Sequence, residues 1–427
     1  MLHLFPLTDT KIIIMLRAAN IIGVAACIVL CAGLPIEQAP ALKEEPAEVL
    51  FRVGSKPAVI ECIPESQAKD IKYSWKKDGK ELQLTPNIVQ RKDEGTLTFL
   101  KPVAADEGIY QCFAESPAGV ASTRHISFKR TYINHPQVKV KEHNPVDGRP
   151  FHLDCDIPDS YPKPTIQWKS QLIDNPDVSE NILDRKITLS PDGTLWFAEV
   201  LPKDASKRYK YVCVAETPAE DEPVVLAEHI IKDLVKDTKN NDGELVPQYV
   251  SKDMVAKAGE VTMIYCIYGG KPLNPPDWFK DGKDTNGEDP KGRITRHNRT
   301  AGKRLLIKDT YLSDQGTFKC VVNNGVGKPQ EHTMKLTVVS APKYTKKPEK
   351  QIAAKEGQDV TIPCEVSGLP DPKITWTFNS KPLNNPRATV NAHGLAISKV
   401  QKSDHGYYGC QAVNEHGELY SETFLQV

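Results

Sequence analysis

The length of 427 residues corresponds to about three domains of average size, or to about four β-sandwiches of ~100 residues each. Because 55 Lys and Arg residues balance 55 Asp and Glu residues, no overall field attracts the chain to an anionic membrane or to nucleic acid, which argues against a general nucleic-acid binder. The content of 39% hydrophobic and 26% charged residues is that of a folded, soluble chain.

An apolar segment near the N-terminus predicts a leader with a secretory signal peptide over residues 1–33. Arg17 precedes this segment, and the small residues Ala32 and Gly33 follow its apolar centre. The alternative is a membrane anchor, but about 14 apolar residues ending at Pro35 are too few to span a bilayer. No later stretch approaches the length of a membrane span. We therefore expect a secreted, extracellular protein without a membrane span.

Eight cysteines remain after the leader, and their spacing repeats four times. A Trp follows the first Cys of each pair by 12 or 13 residues, and an aromatic residue stands two positions before the second Cys. In an oxidising compartment we expect the pairs to be disulfides. Repetition of this pattern about every 100 residues predicts four tandem β-sandwiches. The pairs are Cys62–Cys112, Cys155–Cys213, Cys266–Cys320 and Cys364–Cys410, with the core tryptophans Trp75, Trp168, Trp278 and Trp376.

The local patterns around the cysteines fit strands and hairpins. Ile362 and Cys364 share one face of a predicted strand, while Thr361 between them points to solvent. The sequence Lys-Asp-Gly-Lys occurs at residues 77–80 and 280–283, after the tryptophans, and indicates hairpin turns. Closure of loops of ~50 residues by disulfides is expected to stabilise each sandwich by about 4 kcal/mol.

The residues before the second cysteines resemble the corner of intermediate-set (I-set) immunoglobulin domains. Residues 106–112, 314–320 and 404–410 each read Asp-x-Gly-x-Tyr/Phe-x-Cys. In that family the Tyr hydroxyl bonds back to the corner, which Phe318 cannot do. In the second domain Asp204 lies nine residues before Cys213 instead of six, so we expect an enlarged corner there. The resemblance implies an all-β fold with four I-set domains at residues 40–130, 134–231, 247–340 and 341–427.

A polar, charged run over residues 232–246 predicts a hinge linker between the second and third domains. Because of this run, the stretch between the last Cys of the second domain and the first Cys of the third is about ten residues longer than the corresponding stretches at the other two junctions. Ten residues span up to about 35 Å. The junctions at residues 130–135 and 339–343 leave little slack, so those neighbours should stay end to end. The chain is thus similar to the first four domains of L1-type adhesion molecules and to secreted four-domain immune proteins of insects. That resemblance implies a horseshoe; a flexible array is the alternative.

One segment breaks the charge balance. Residues 291–308 hold seven basic side chains and no acidic one, and guanidinium groups bind phosphates with forked geometry. The segment therefore suits phosphorylated lipid A, teichoic acid or sulfated glycans; the alternative is a solvated edge strand. We expect Arg293 to pair with the corner residue Asp314, as Arg387 would with Asp404. The remaining candidate ligand-binding residues are Arg296, Arg299, Lys303 and Arg304.

The glycosylation sequon Asn298-Arg299-Thr300 lies inside the basic segment, where a glycan on Asn298 would shield part of it. A second, weaker basic group at the third junction is interrupted by Glu349 and comprises Lys343, Lys346, Lys347 and Lys350. No nucleophile-elbow, zinc-protease or P-loop motif is present. Because all eight cysteines have structural partners, we expect no catalytic thiol, no enzyme activity, no cofactor and no metal site.

The resemblance leaves two classes of binding function open. The first is immune recognition of bacterial lipopolysaccharide and lipoteichoic acid, with attachment to blood-cell surfaces and possible homophilic self-association. The second is a soluble developmental ligand for immunoglobulin-type adhesion receptors. A secreted decoy for a growth factor is a remote third reading, since a sandwich hosts many functions.

Overall fold

The computed structural model describes residues 41–54, 56–65, 70–239, 243–285, 292–296 and 303–427. The predicted leader, Asn298, Arg299 and the centre of the predicted hinge lie outside these ranges. From residue 41 onward the described chain belongs to one compact unit of 36 strands with short 3-10 turns, and these ranges contain no α-helix. The all-β prediction is therefore confirmed, and the strands form four sandwiches, each with two sheets.

Nine described strands form the first sandwich: β1 (Glu48–Arg52), β2 (Ala58–Ile60), β3 (Lys72–Lys77), β4 (Lys80–Glu81), β5 (Ile88–Gln90), β6 (Leu97–Phe99), β7 (Gly108–Ser116), β8 (Gly119–Ser122) and β9 (Ile126–Ile133). The larger sheet has the order β1-β9-β7-β3-β4, and β8 pairs with β7. The smaller sheet has the order β2-β6-β5. Strand β1 runs parallel to β9, so the first and last strands of the domain are neighbours.

The second sandwich repeats this plan: β10 (Val140–His143), β11 (Phe151–Leu153), β12 (Ser160–Tyr161), β13 (Thr165–Leu172), β14 (Ser179–Asn181), β15 (Ile187–Leu189), β16 (Leu195–Phe197), β17 (Tyr209–Glu216) and β18 (Val224–Ile231). Its sheets have the orders β10-β18-β17-β13-β14 and β11-β16-β15. Strand β12 belongs to neither of these sheets. It pairs with β9 of the first sandwich, and this pairing joins the two domains end to end.

The third sandwich comprises β19 (Val246–Val250), β20 (Met254–Lys257), β21 (Thr262–Gly269), β22 (Asp277–Lys280), β23 (Lys283–Asp284), β24 (Ile294–Arg296), β25 (Arg304–Ile307), β26 (Gly316–Val322) and β27 (Gln330–Lys346). Its sheets have the orders β20-β27-β26-β22-β23 and β19-β21-β25-β24.

The fourth sandwich comprises β28 (Gln351–Ala353), β29 (Val360–Pro363), β30 (Glu365–Leu369), β31 (Lys373–Phe378), β32 (Lys381–Pro382), β33 (Ala388–Asn391), β34 (Gly394–Ile397), β35 (Gly406–Asn414) and β36 (Gly417–Gln426). Its sheets have the orders β28-β36-β35-β31-β32 and β29-β34-β33. The 17-residue strand β27 continues beyond the third sandwich to pair with β30. One strand thus connects both domains, as the short junction predicted.

A disulfide crosses the core of each sandwich, in the four pairs that the spacing predicted, with Cα–Cα distances of 6.3–6.6 Å. All eight cysteines and the four predicted tryptophans are buried. The indole nitrogen of Trp75 donates to the carbonyl of Gly95 at 2.6 Å, and that of Trp168 to Gly193 at 2.9 Å. Such bonds satisfy the one polar atom that an indole brings into a core.

The corners between the two sheets agree with the sequence pattern. The hydroxyl of Tyr110 donates to the carbonyl of Asp106 at 2.7 Å, and Tyr408 bonds to Asp404 in the same way at 3.0 Å. In the second sandwich four residues separate the turn that ends at Asp204 from strand β17, so the corner is enlarged as predicted. The hydroxyl of Tyr211 nevertheless reaches the carbonyl of Asp204 at 2.8 Å.

Candidate recognition site

The first and fourth sandwiches meet along residues 119–125 and strand β36. The backbone N–H of Ser122 donates to Glu422 Oε2 at 2.9 Å, and its hydroxyl donates to Glu422 Oε1 at 2.9 Å. The hydroxyl of Tyr420 lies 2.8 Å from the Ser122 hydroxyl and donates to Glu422 at 2.6 Å. One carboxylate of the fourth sandwich therefore accepts three hydrogen bonds at this contact.

Polar contacts continue on both sides of Ser122. The Arg124 guanidinium donates to the carbonyl of Glu418 at 2.7 Å, and the His125 ring lies 3.2 Å from the Glu418 carboxylate. On the other side, the backbone N–H of Val120 donates to Asn379 Oδ1 at 3.3 Å. These contacts join residues separated by about 260 to 300 positions in sequence, so the chain closes on itself.

An apolar cluster supports this contact. Small side chains of the first sandwich, Ala114, Ala118 and Ala121, pack with Tyr407 and Phe424 of the fourth. All five residues are buried. Small residues on one side let the two aromatic rings approach closely, and burial of this apolar area favours the closed arrangement.

Burial changes the protonation of the carboxylates at the contact. It raises the pKa of Glu422 to about 7, although the bonds from Tyr420 and Ser122 oppose this rise. The hydrogen bond to Glu418 raises the pKa of His125. Burial also tends to raise the pKa of Glu418, but the bonds from His125 and Gln411 hold it below its ordinary value. The closed contact thus binds protons more tightly at Glu422 and His125.

The second and third sandwiches also contact each other directly. The backbone N–H of Gly270 donates to the carbonyl of Ala198 at 2.9 Å, and the Gln248 amide donates to the carbonyl of Phe197 at 2.7 Å. A Cβ atom on Gly269 would lie 2.7 Å from the Pro150 side chain and 2.9 Å from the carbonyl oxygen of Ala198, so the two sandwiches approach closely there. With two pairs of sandwiches in contact, the residues from 41 onward form the expected horseshoe rather than a flexible array.

The predicted hinge is tied to the domains on both sides. Arg149 Nε donates to the Asp237 carboxylate at 2.7 Å, and its Nη2 donates to the carbonyl of Lys239 at 2.8 Å. On the far side of the undescribed residues 240–242, Leu245 is buried in the core of the third sandwich. The described ends of this segment are therefore anchored at these points, while Val235, Lys236 and Lys239 are exposed.

The described members of the basic segment do not share one accessible surface. Lys303 is only 2% exposed, and its ammonium faces the Thr188 hydroxyl of the second sandwich at 3.4 Å. Burial lowers the pKa of Lys303 to about 8. The expectation that Lys303 belongs to an exposed patch is therefore wrong, because the fold-back of the second sandwich covers it.

The other members of the basic segment differ in their surroundings. Arg293 is paired as predicted: it binds the corner residue Asp314 in a forked geometry with distances of 2.5 and 2.8 Å. Arg304 is partly buried, with its guanidinium 6.0 Å from the Tyr265 ring, rather than fully exposed. Arg296 is also partly buried on the neighbouring strand β24. Arg299 and Asn298 lie outside the described residues.

Two lysines of the second basic group form ion pairs with the first sandwich. Lys347 forms an ion pair with Glu44 and Lys350 forms one with Glu65, so both bind the first sandwich.

No sequence signal pointed to the polar residues at the contact between the first and fourth sandwiches. Ser122, Arg124, Tyr420 and Glu422 belong to no motif, and only the folding of the chain brings them together.

In the described ranges, no group of three or more His, Cys, Asp and Glu side chains could hold a metal ion. Nor does any helix within these ranges have the length and apolar character needed to cross a membrane.

Comparison with known proteins gives the family. The immunoglobulin I-set domain model matches residues 40–126, 247–338 and 342–427. The chain is 58% identical to hemolin from Manduca sexta over 96% of its own length and 99% of that protein. It is 34% identical to Drosophila melanogaster neuroglian over 97% of its own length, which is 33% of neuroglian.

The three-dimensional comparison agrees. The crystal structure of the insect immune protein hemolin, whose domain arrangement is described as having implications for homophilic adhesion, has a TM-score of 0.88 and 57% identity to this chain. The match covers 91% of this chain and 100% of that structure. A TM-score this high over all four sandwiches means that the folded-back arrangement itself is shared. The chain therefore belongs to the hemolin family of the I-set immunoglobulin proteins.

Proposed function

We propose that this chain is a secreted immune recognition protein that acts by binding and not by catalysis. It binds lipopolysaccharide and lipoteichoic acid of bacterial surfaces, attaches to blood cells and associates with itself. The observation that carries this proposal is the similarity to hemolin, described as an insect immune protein, along nearly the whole of both chains. The recognition domains are proposed to span residues 40–130, 134–231, 247–340 and 341–427, after a leader that directs secretion.

The chemistry of both bacterial ligands suits basic side chains. Each ligand carries phosphate groups, which arginine binds through charge-assisted, forked hydrogen bonds. Within the basic segment, Arg296, Arg299 and Arg304 are the proposed contacts. Because Lys303 is covered by the second sandwich, it could contribute only after that contact opens. A glycan on Asn298 would reduce access to this segment.

The function is tested with the purified full chain and vesicles that contain either lipopolysaccharide or lipoteichoic acid, against neutral phosphatidylcholine vesicles. We expect binding to both bacterial amphiphiles that weakens with rising ionic strength, because charged contacts are screened. Flow cytometry with labelled protein should show attachment to blood cells. Absence of binding to both bacterial amphiphiles at low salt would overturn the recognition proposal.

The proposed contacts in the third sandwich are tested by the double variant Arg299→Glu, Arg304→Glu. Loss of two charge-assisted contacts should weaken vesicle binding at least about tenfold. The matched control is Lys92→Glu, Lys101→Glu, which reverses two exposed charges on the first sandwich. Full binding by the double variant would remove the third sandwich as the site.

A second function is supported by the match to neuroglian along 97% of this chain. In this alternative the protein is a soluble developmental ligand for immunoglobulin-type surface receptors. Measurement of the protein in body fluid before and after bacterial challenge separates the two. A rise after challenge favours immune recognition, whereas a level that follows developmental stage and ignores bacteria favours the adhesion ligand.

A further inference from the structure

A cleft of 510 Å³ lies between the first and fourth sandwiches, beside the Ser122–Glu422 contact. Residues 41–45 and 122–124 of the first sandwich form one side, and residues of strands β27 and β36 form much of the other. Its volume is within the range of sites that hold small organic molecules, which are commonly about 300–1,000 Å³. Neither basic group predicted from the sequence includes the residues on the first-sandwich side.

Apolar side chains line part of the cleft, among polar and charged ones. Leu42 lies on the side of the first sandwich, and Leu419, Phe424 and the Tyr344 ring lie on the side of the fourth. A surface of this kind, between two domains and open to solvent, favours a ligand with an alkyl chain, because the chain removes apolar area from water when it binds.

The charges in the cleft do not all neutralise one another. Two of its lysines are used in the ion pairs Lys347–Glu44 and Lys350–Glu65. Glu422 is engaged by Ser122, and Glu45 is 9% exposed, with a pKa that burial raises to about 7. A carboxyl group of that pKa is partly neutral at mildly acidic pH.

Two further cations line the cleft, Lys43 and Arg124. The positive charge of Lys43 acts on the Glu45 carboxylate, and that of Arg124 acts on the carboxylates of Glu44 and Glu418. Arg124 donates through Nη2 to the Glu418 carbonyl, but its Nε is buried and has no acceptor. An ammonium and a guanidinium on one side of the cleft suit an anionic head group, because charge-assisted hydrogen bonds to a phosphate or carboxylate are strong.

We propose that this cleft binds an anionic amphiphile, with its alkyl chain against Leu42, Leu419 and Phe424 and its phosphate or carboxylate head group on Arg124 and Lys43. The inference rests on the proposed function and deepens it, because lipopolysaccharide and lipoteichoic acid combine alkyl chains with phosphates. It adds a site between the first and fourth sandwiches to the contacts proposed on the third.

The test is isothermal titration of the full chain with decyl phosphate below its micelle concentration. We expect one saturable site per chain. Inorganic phosphate and the neutral amphiphile decyl maltoside are titrated in parallel, and each should bind at least about tenfold more weakly, because each offers only one of the two interactions. The proposal would be overturned if inorganic phosphate or decyl maltoside bound as tightly as decyl phosphate, or if decyl phosphate showed no saturable binding.

Two variants assign the site. Lys43→Glu reverses an exposed charge at the rim, and Leu419→Glu places a charge on the apolar wall; each should weaken decyl phosphate binding at least about tenfold. Lys92→Glu, on an exposed turn of the first sandwich outside the cleft, is the matched control and should bind normally. Because Lys43 is exposed, its replacement should not change the thermal midpoint. Unchanged binding in both cleft variants would place the amphiphile elsewhere.

The vesicle experiment separates this inference from the function on which it rests. If the chain binds lipopolysaccharide vesicles but Lys43→Glu and Leu419→Glu bind them as well as the wild type, the cleft proposal fails and the recognition function stands. If decyl phosphate binds in the cleft but neither bacterial amphiphile binds, the cleft stands and the recognition function fails.

Discussion

The Glu422 carboxylate accepts two hydrogen bonds from Ser122 of the first sandwich and one from Tyr420 of its own strand. Burial nevertheless raises the pKa of Glu422 to about 7, compared with about 4.5 in water. A carboxyl whose pKa is raised in the closed form favours that form at low pH, and this advantage is lost as the pH rises from about 4.5 to about 7. His125 acts in the same direction, because its raised pKa favours the closed form when the ring is protonated.

We therefore predict that the contact between the first and fourth sandwiches weakens between pH 5 and pH 8. Hydrogen exchange at the Ser122 amide, which donates to Glu422, should show protection that falls by up to about a hundredfold over this range after correction for the intrinsic rate. In Glu422→Gln the fall should be much smaller, since the amide keeps an acceptor but does not titrate. An identical pH dependence in both proteins would contradict the role of Glu422.

At the scale of single elements, the corner of the third sandwich depends on an ion pair. Phe318 lacks the hydroxyl by which Tyr110 and Tyr408 bind their corners. Arg293 binds Asp314 of this corner in a forked geometry and stacks 4.1 Å from the centre of the Tyr311 ring. Because the Asp314 side chain is 5% exposed, removal of this partner leaves a carboxylate that water scarcely reaches.

Arg293→Gln should lower the free energy of unfolding of the third sandwich by about 3 kcal/mol, the usual cost of breaking one side of a buried ion pair. Lys308→Gln removes an exposed charge from the same domain and should change stability by less than about 0.5 kcal/mol. Calorimetry of the full chain measures both. Equal midpoints for the two variants would mean that the corner does not depend on Arg293.

At the scale of the whole molecule, closure depends on two places where the backbone of a glycine closely approaches another sandwich. Gly119, with a φ of +138°, faces Asn379 and the Tyr407 ring, and a Cβ atom there would lie 2.5 Å from Asn379 Oδ1. The second approach is at Gly269, against Pro150. Glycine permits both because it has no side chain. The long gap between the second and third domains permits the reversal, and these contacts hold it.

Gly119→Val should separate the first sandwich from the fourth while the second and third remain in contact. X-ray scattering at neutral pH should then show a larger radius of gyration than that of the wild type. The control is Gly54→Val, at a φ of +68° in the same sandwich with open space around it, which carries backbone strain but no clash between domains. A compact Gly119→Val protein would show that other contacts suffice for closure.

The sequence by itself determined the four sandwiches, their disulfides and the residues of their corners. These features depend on local alternation and on spacing within about 60 residues, which a linear pattern records directly. Arg293 and Arg387 could be assigned to Asp314 and Asp404 because both partners occupy fixed positions of one domain. The longer middle gap indicated reversal of the chain but not the surfaces that meet.

Only the tertiary structure decided which basic side chains remain accessible. Lys303 and Arg304 are neighbours in a basic run, yet the fold-back buries Lys303 against Thr188 of the second sandwich. The contact between Ser122 and Glu422, and the cleft beside it, join positions 300 residues apart. Burial and pairing across such a distance depend on how rigid sandwiches pack together, and no spacing in the chain records that packing.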